Sequence, residues 1–226
     1  MVEQLTIIGT SHIAKESVVQ VRRVIEELKP SFVAVELDDA RAQALLSRKS
    51  VRRFQLRDIR KVGFKGFLFS LIGAYVERKL GERVGSAPGS EMKAAILAAR
   101  SVGAKVILID QDIVITLRRF SQVLSWREKW CLLVDVVKGL FGFGQKISFD
   151  ISKVPAKEII MQLTNEVKKR YPNMYRVLIT ERNISMAKNL ARFIRKAPDA
   201  RIVAVVGAGH EDEILRLVKK YLKSDI

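Results

Sequence analysis

A single cysteine, Cys131, stands in a chain of 226 residues. It allows no internal disulfide and no cysteine-built zinc site. Histidine is nearly as scarce, with two, and aromatic residues make up only 7%. No low-complexity tract or solenoid repeat is present. The start, MVEQLTIIGTSH, lacks the basic n-region and long apolar h-region of a signal peptide. No stretch of about 18 uncharged apolar residues reads as a membrane span. The setting expected from these absences is reducing and cytoplasmic. Acidic residues are also few, 24 against 41 Lys and Arg, which leaves a net charge of +17. Such a charge points to anionic partners, an anionic membrane surface among them, or to a heavily solvated surface. Nucleic acid is not the expected partner, because the basic segment has no interleaved aromatics on which bases would stack.

What is present is a regular alternation. Residues 5–8, 32–37, 105–110 and 201–206 are near-continuous apolar runs rich in Val and Ile. Runs of that kind are the pattern of parallel strands buried on both faces. Between them, apolar residues recur at helical spacing: Val18, Val21, Val24, Ile25 and Leu28, then Met92, Ala95, Ile96, Ala99 and Val102. Pro30 stops the first helix, while Ser90 and Gly103 bracket the second. A last helix carries Ile214, Leu215, Val218, Tyr221 and Leu222. The expected class is α/β, with a central, mostly parallel sheet flanked by helices in a single domain over 1–226. Two stretches exceed a minimal βαβ unit: a basic and apolar insertion over 41–85 and a second helical insertion over 121–171. Within the first, residues 64–80 are apolar around most of a helix, so burial against a second copy in a homodimer or over the site is expected, with a membrane surface or the chain's own core as the alternatives.

The two histidines occupy one frame, Gly9-Thr10-Ser11-His12 and Gly207-Ala208-Gly209-His210. With 13 glycines in 226 residues, that coincidence is rare by chance. Each frame directly follows a predicted buried strand. Ligands of open parallel sheets bind at the carboxyl ends of strands. Glycine is expected to turn the chain off the strand there and to present each histidine on an exposed loop in one crevice. Glu36 closes a buried strand and Asp110 closes another; a buried carboxylate needs a cation, a metal or a helix end. Asp110 and Asp112 read as caps of the next helix, Asp38 and Asp39 as caps of the one before it. Glu91, in a helical first turn, reads either as a dipole partner or as a ligand or base aimed at the crevice. On a uniform 100° wheel Arg182 falls among Tyr175, Ile179, Met186 and Phe193. A guanidinium on an apolar stripe pairs with a core carboxylate, or reaches the crevice to steady a developing oxyanion or to orient Glu36.

GTSH, VAVELDDARA, PGSEMKAAILAARSVGAKVILIDQDIVITLRR, LITERNISMAKNL and VVGAGH together resemble the TraB/PrgY/GumN/Tiki family, in its archaeal, pheromone-shutdown-like branch. The resemblance implies a core similar to that of ChaN and erythromycin esterase. It implies a metal-dependent hydrolase, a peptidase acting on peptide or protein substrates with one divalent ion (Mn, Co or Zn). Carried over by motif, the site residues are His12, Glu36, Arg182 and His210, with Glu91 as a further carboxylate. The metal is then expected on His12, His210 and Glu36 or Glu91, the remaining carboxylate acting as base. Two departures stand out. Asp110-Gln111-Asp112 replaces the branch's D-R-D, which removes a positive charge beside the third strand. The transmembrane helices usual after the branch's domain do not appear in this sequence, which leaves membrane association open. The alternative to an enzyme is a non-catalytic module that binds and sequesters a signalling peptide or a membrane surface.

Overall fold

A computed structural model describes residues 3–10, 15–47, 89–140 and 164–224. Four strands form one all-parallel sheet in the order β1-β4-β2-β3: β1 (Leu5–Thr10), β2 (Phe32–Val35), β3 (Lys105–Leu108) and β4 (Ile202–Gly207). The last strand is thus inserted between the first two. Its register sets Thr10 beside Gly207 and Val35 beside Val205. The carboxyl ends of β1, β4 and β2 therefore lie side by side.

Alternation along the strands divides the core in two. Ala34, Ile202, Ala204 and Val206 face one side, where α7 (Glu181–Lys196) and α8 (Glu211–Lys223) pack through Met186, Leu190, Ile194, Ile214 and Val218. Val33, Val35, Val203 and Val205 face the other, against α1 (Lys15–Leu28) and α3 (Ser90–Ser101) through Val21, Ile25, Ala95 and Ile96. Both faces of the sheet are covered, which is why its strands read as continuous apolar runs rather than alternating ones.

Local chemistry sets the ends. Asp38 caps α2 (Asp39–Leu46) by accepting from the Arg41 N–H at 2.7 Å. Asp112 caps α4 (Ile113–Val123) by accepting from Val114 N–H. Gly89, at φ 78°, precedes α3; Ser90, expected as its cap, is instead its first residue. The buried Glu128 of α5 (Trp126–Leu140) accepts from the N–H and hydroxyl of Ser125, a capping box, and from the N–H and side-chain amide of Asn173. One carboxylate thereby ties the start of α5 to the start of α6 (Pro172–Tyr175).

From α6 the chain runs through a π-helical turn, Arg176–Thr180, into α7 without a break. The Glu181 N–H reaches back to the Arg176 carbonyl, five residues away. One extra residue slips the helical phase by about 100°. The buried face of α7 is consequently Asn183, Met186, Ala187, Leu190, Ala191 and Ile194, with Phe193 at its margin. A uniform wheel over this helix misplaces that face.

Of the expected insertions, α2 opens the first and α5 lies in the second. Residues 48–88, with the apolar helix expected over 64–80, and residues 141–163 lie outside the described residues. Among the described residues no helix is long and apolar enough to cross a membrane.

Candidate functional site

At the carboxyl edge of the sheet the chain buries a charged network. Glu36, one residue beyond β2, is 6% exposed. Its Oε2 accepts from the Gly207 N–H at 2.7 Å, which locks the end of β2 to the end of β4. Its Oε1 accepts from Arg182 Nη2 at 2.5 Å. Arg182 enters from the first turn of α7 and also grips Asp110, Nη2 lying 2.5 Å from Oδ2. Asp110 carries a second guanidinium, Arg41 Nη2, again at 2.5 Å, and Arg41 Nε is held by Asp38 at 2.8 Å. Arg182 therefore pairs with two buried carboxylates, Glu36 and Asp110. Asp110 is not a helix cap but the buried anion between two arginines. Arg41 supplies positive charge beside the third strand where Gln111 does not; Gln111 instead donates to the Thr116 hydroxyl.

His210 stands at the N-terminus of α8 and is 7% exposed. It is not on an exposed loop, as the glycines around it suggested. Its Nδ1 lies 2.5 Å from Oδ1 of Asn183, itself 1% exposed. A carbonyl oxygen only accepts, so Nδ1 carries a proton and the ring is fixed with Nε2 turned toward Glu36. The separation of Nε2 from Glu36 Oε1 is 3.4 Å.

Electrostatics follow from this packing. Burial works against the charge of Glu36, but His210 in its protonated form, then Arg182 and the Gly207 N–H, outweigh it and hold the carboxyl below its ordinary range. Burial likewise opposes the Asp110 charge and is outweighed, first by Arg182 and then by Arg41. Arg182, although mostly buried, is pushed further toward its charged form by the two carboxylates.

Of the residues expected from sequence, Glu36, Arg182 and His210 meet. Glu91 is buried at the first turn of α3, with Ser90 Oγ 3.4 Å from its Oε2, and takes no part in the contacts above. His12 lies outside the described residues; β1, which leads to it, is the neighbour of β4, which leads to His210. Gly9 does not turn the chain. It lies within β1, and a Cβ there would come 2.4 Å from Oε2 of Glu211, so its role is to admit that side chain.

Residues 2–221 match the TraB/PrgY/gumN family. The chain belongs to that family. It is 38% identical over 219 residues to an uncharacterised protein of Methanocaldococcus jannaschii, covering 95% of this chain and 53% of that protein. It is 28% identical over 231 residues to a TraB domain-containing protein of Mus musculus and 27% identical over 228 residues to one of Homo sapiens. Each of these covers 90% of this chain and 60% of the relative. The chain thus spans between half and two thirds of the length of the relatives it matches.

The metal that TraB resemblance implies finds a compatible donor pair. Two ligands of one tetrahedral ion with bonds near 2.1 Å stand about 3.4 Å apart, which is the separation of His210 Nε2 and Glu36 Oε1. The Nδ1 contact to Asn183 is of the kind that fixes ligating imidazoles. Among the described residues no three His, Cys, Asp or Glu side chains gather into a complete metal site. Asn183 and Arg41 escaped the reading from sequence. Asn183 had one signal, its place next to Arg182 at the start of an apolar helical face; Arg41 had none, being one arginine of a basic segment.

Proposed function

We propose that this TraB-family chain is a metal-dependent hydrolase acting on peptide or protein substrates. The observation that supports this best is the fixed His210: Asn183 holds one ring nitrogen while the other faces Glu36 at 3.4 Å, at the carboxyl ends of β2 and β4. His210 Nε2 and Glu36 Oε1 would hold the ion, with His12 as third donor. A divalent ion bound there supplies a Lewis acid and a water of lowered pKa. The chain's own groups set the stage for it. Gly207 and Arg182 restrict Glu36 to one orientation, which spares the site reorganisation during reaction. Arg182, anchored on Asp110 and in contact with Glu36, is the cation among the described residues that would steady charge developing on an attacked carbonyl. Asn183 keeps the Nδ1 proton in place, and Nε2 is thereby the nitrogen available for ligation.

The test is metal content by plasma mass spectrometry on untagged protein, together with cleavage of casein after addition of Mn, Co or Zn. One ion per chain, lost in His210→Ala and Glu36→Gln together with cleavage, is the expected result. Unaltered metal content in both variants, or no cleavage with any of the three ions, overturns the proposal.

A further inference from the structure

A cavity of about 400 Å³ opens next to the charged network, lined by Lys168, Pro172, Tyr175, Thr180, Asn183 and Glu213. That is at the small end of ligand pockets, enough for a short piece of peptide. Asn183 belongs both to this cavity and to the His210 contact. Its Oδ1 is taken by His210, and its Nδ2 amide donates to no described residue while the side chain lines the cavity.

The rest of the lining is rich in donors as well. The hydroxyls of Thr180 and Tyr175 also have no hydrogen-bond partner among the described residues. Thr180 ends the π-helical turn, which breaks the regular helical bonding just where it faces the cavity. Burial and the nearby Glu213 charge push the Tyr175 hydroxyl up, so it stays a donor at neutral pH. Lys168 reaches over the cavity with its Nζ 5.4 Å from the centre of the Tyr175 ring. The one carboxylate in the lining, Glu213, is occupied by a bidentate pair with Arg216, Oε1 at 2.6 Å from Nη2 and Oε2 at 3.2 Å from Nε. The cavity therefore offers donors from an amide, two hydroxyls and an ammonium, beside one carboxylate whose charge Arg216 balances.

We infer that this cavity is a subsite for a carboxylate of a peptide ligand, received by Lys168, Tyr175, Thr180 and the Asn183 Nδ2 amide. The carboxylate comes either from the peptide's C-terminus or from an Asp or Glu side chain. Identifying the ligand as a peptide rests on the proposed function; the donor-rich cavity does not. Because Asn183 touches both places, filling the cavity also stiffens the His210 ring, which couples ligand recognition to the site.

The experiment is an NMR titration of the full chain with acetyl-Ala-Ala-Ala as the free acid, as its C-terminal amide, and as acetyl-Ala-Asp-Ala amide, following the Asn183 side-chain amide. Binding of the first and third with a shift of that signal is expected, the amide without Asp being weaker by roughly tenfold, the worth of a charge-assisted hydrogen bond. Preference for the first over the third assigns the C-terminus; the reverse assigns the side chain. Lys168→Gln should remove the preference, and Lys169→Gln, on an exposed neighbour, should keep it. Equal binding of acid and amide peptides, an unchanged preference in Lys168→Gln, or inorganic phosphate binding while the acid peptides do not, overturns the inference. Binding with no casein cleavage removes the hydrolase reading and leaves the subsite; cleavage with no carboxylate preference does the opposite.

Discussion

Arg182 and Asp110 are 72 residues apart in sequence and in bonding contact in the fold, Nη2 lying 2.5 Å from Oδ2 of a carboxylate that is fully buried. The pair joins the start of α7 to the end of β3. Glu36 joins the same guanidinium to the end of β2. Three chain segments thus converge on one cation before any ligand is considered.

Removing that cation leaves buried Glu36 without its guanidinium and Asp110 with Arg41 alone. Arg182→Ala is expected to lower unfolding stability by about 3–5 kcal/mol, the usual loss when one partner of a buried pair is deleted. Arg182→Lys keeps the charge but not the fork, and should fall between the two. Urea unfolding followed by far-UV circular dichroism measures this. A loss within about 0.5 kcal/mol for Arg182→Ala would mean that the network is not formed in solution.

Acid should dissolve the same network. Glu36 and Asp110 both have carboxyls held below their ordinary values in the fold. In the window between the folded and unfolded values the unfolded chain binds more protons, so stability rises with pH there. Their contribution is fully present above the unfolded carboxylate range, near pH 4, and is lost as pH falls through the lower folded values. Thermal melts from about pH 6 down to about pH 3 should therefore drop more steeply for the natural chain than for Asp110→Asn, which starts lower and falls less. Parallel curves for the two would contradict the assignment.

The sheet was legible because burial on both faces leaves a plain mark, four uninterrupted apolar runs, and the helices between them keep their period. The site was legible where chemistry is out of place: a carboxylate closing a buried run at Glu36, a histidine repeated in one frame at His210, an arginine on an apolar helix at Arg182. What could not be read has physical reasons. An aspartate after a strand is usually a cap, and nothing in sequence separates Asp110 from Asp112, of which only the second caps. Asn183 is neutral, and its meaning appears only when His210 is beside it. The π-helical turn has no composition of its own, so a wheel drawn with constant phase misjudges the face it shifts. Gly9 was read for backbone freedom and is needed for space.

That last point is testable in a double-mutant cycle. In Gly9→Ala the new methyl would meet Oε2 of Glu211 at 2.4 Å and its Cβ at 3.2 Å. Overpacking of this kind costs about 1–3 kcal/mol. Glu211→Ala removes the nearest atoms, so the double variant should recover most of the loss, a coupling read from chemical unfolding of the four proteins. Strict additivity would show that Gly9 matters for its backbone instead.

The two tryptophans of the chain give a last and inexpensive check on the described surface. Trp126 and Trp130 are 74% and 62% exposed on α5, four residues apart, with Val134 continuing the stripe at 42%. Lys129 Nζ lies 5.0 Å from the centre of the Trp126 ring, a contact that does not exclude water from the indole. Since no other tryptophan contributes, native emission should already resemble that of indole in water, and acrylamide should quench it nearly as well as in the urea-unfolded chain. Unfolding will then be almost silent by fluorescence while far-UV circular dichroism records it. Trp126→Phe and Trp130→Phe should each change stability by no more than about 0.5 kcal/mol, as surface substitutions do. A blue-shifted emission that is protected from acrylamide and moves to the red on dilution would mean that the stripe is covered in solution by a second molecule, because only an intermolecular cover depends on protein concentration.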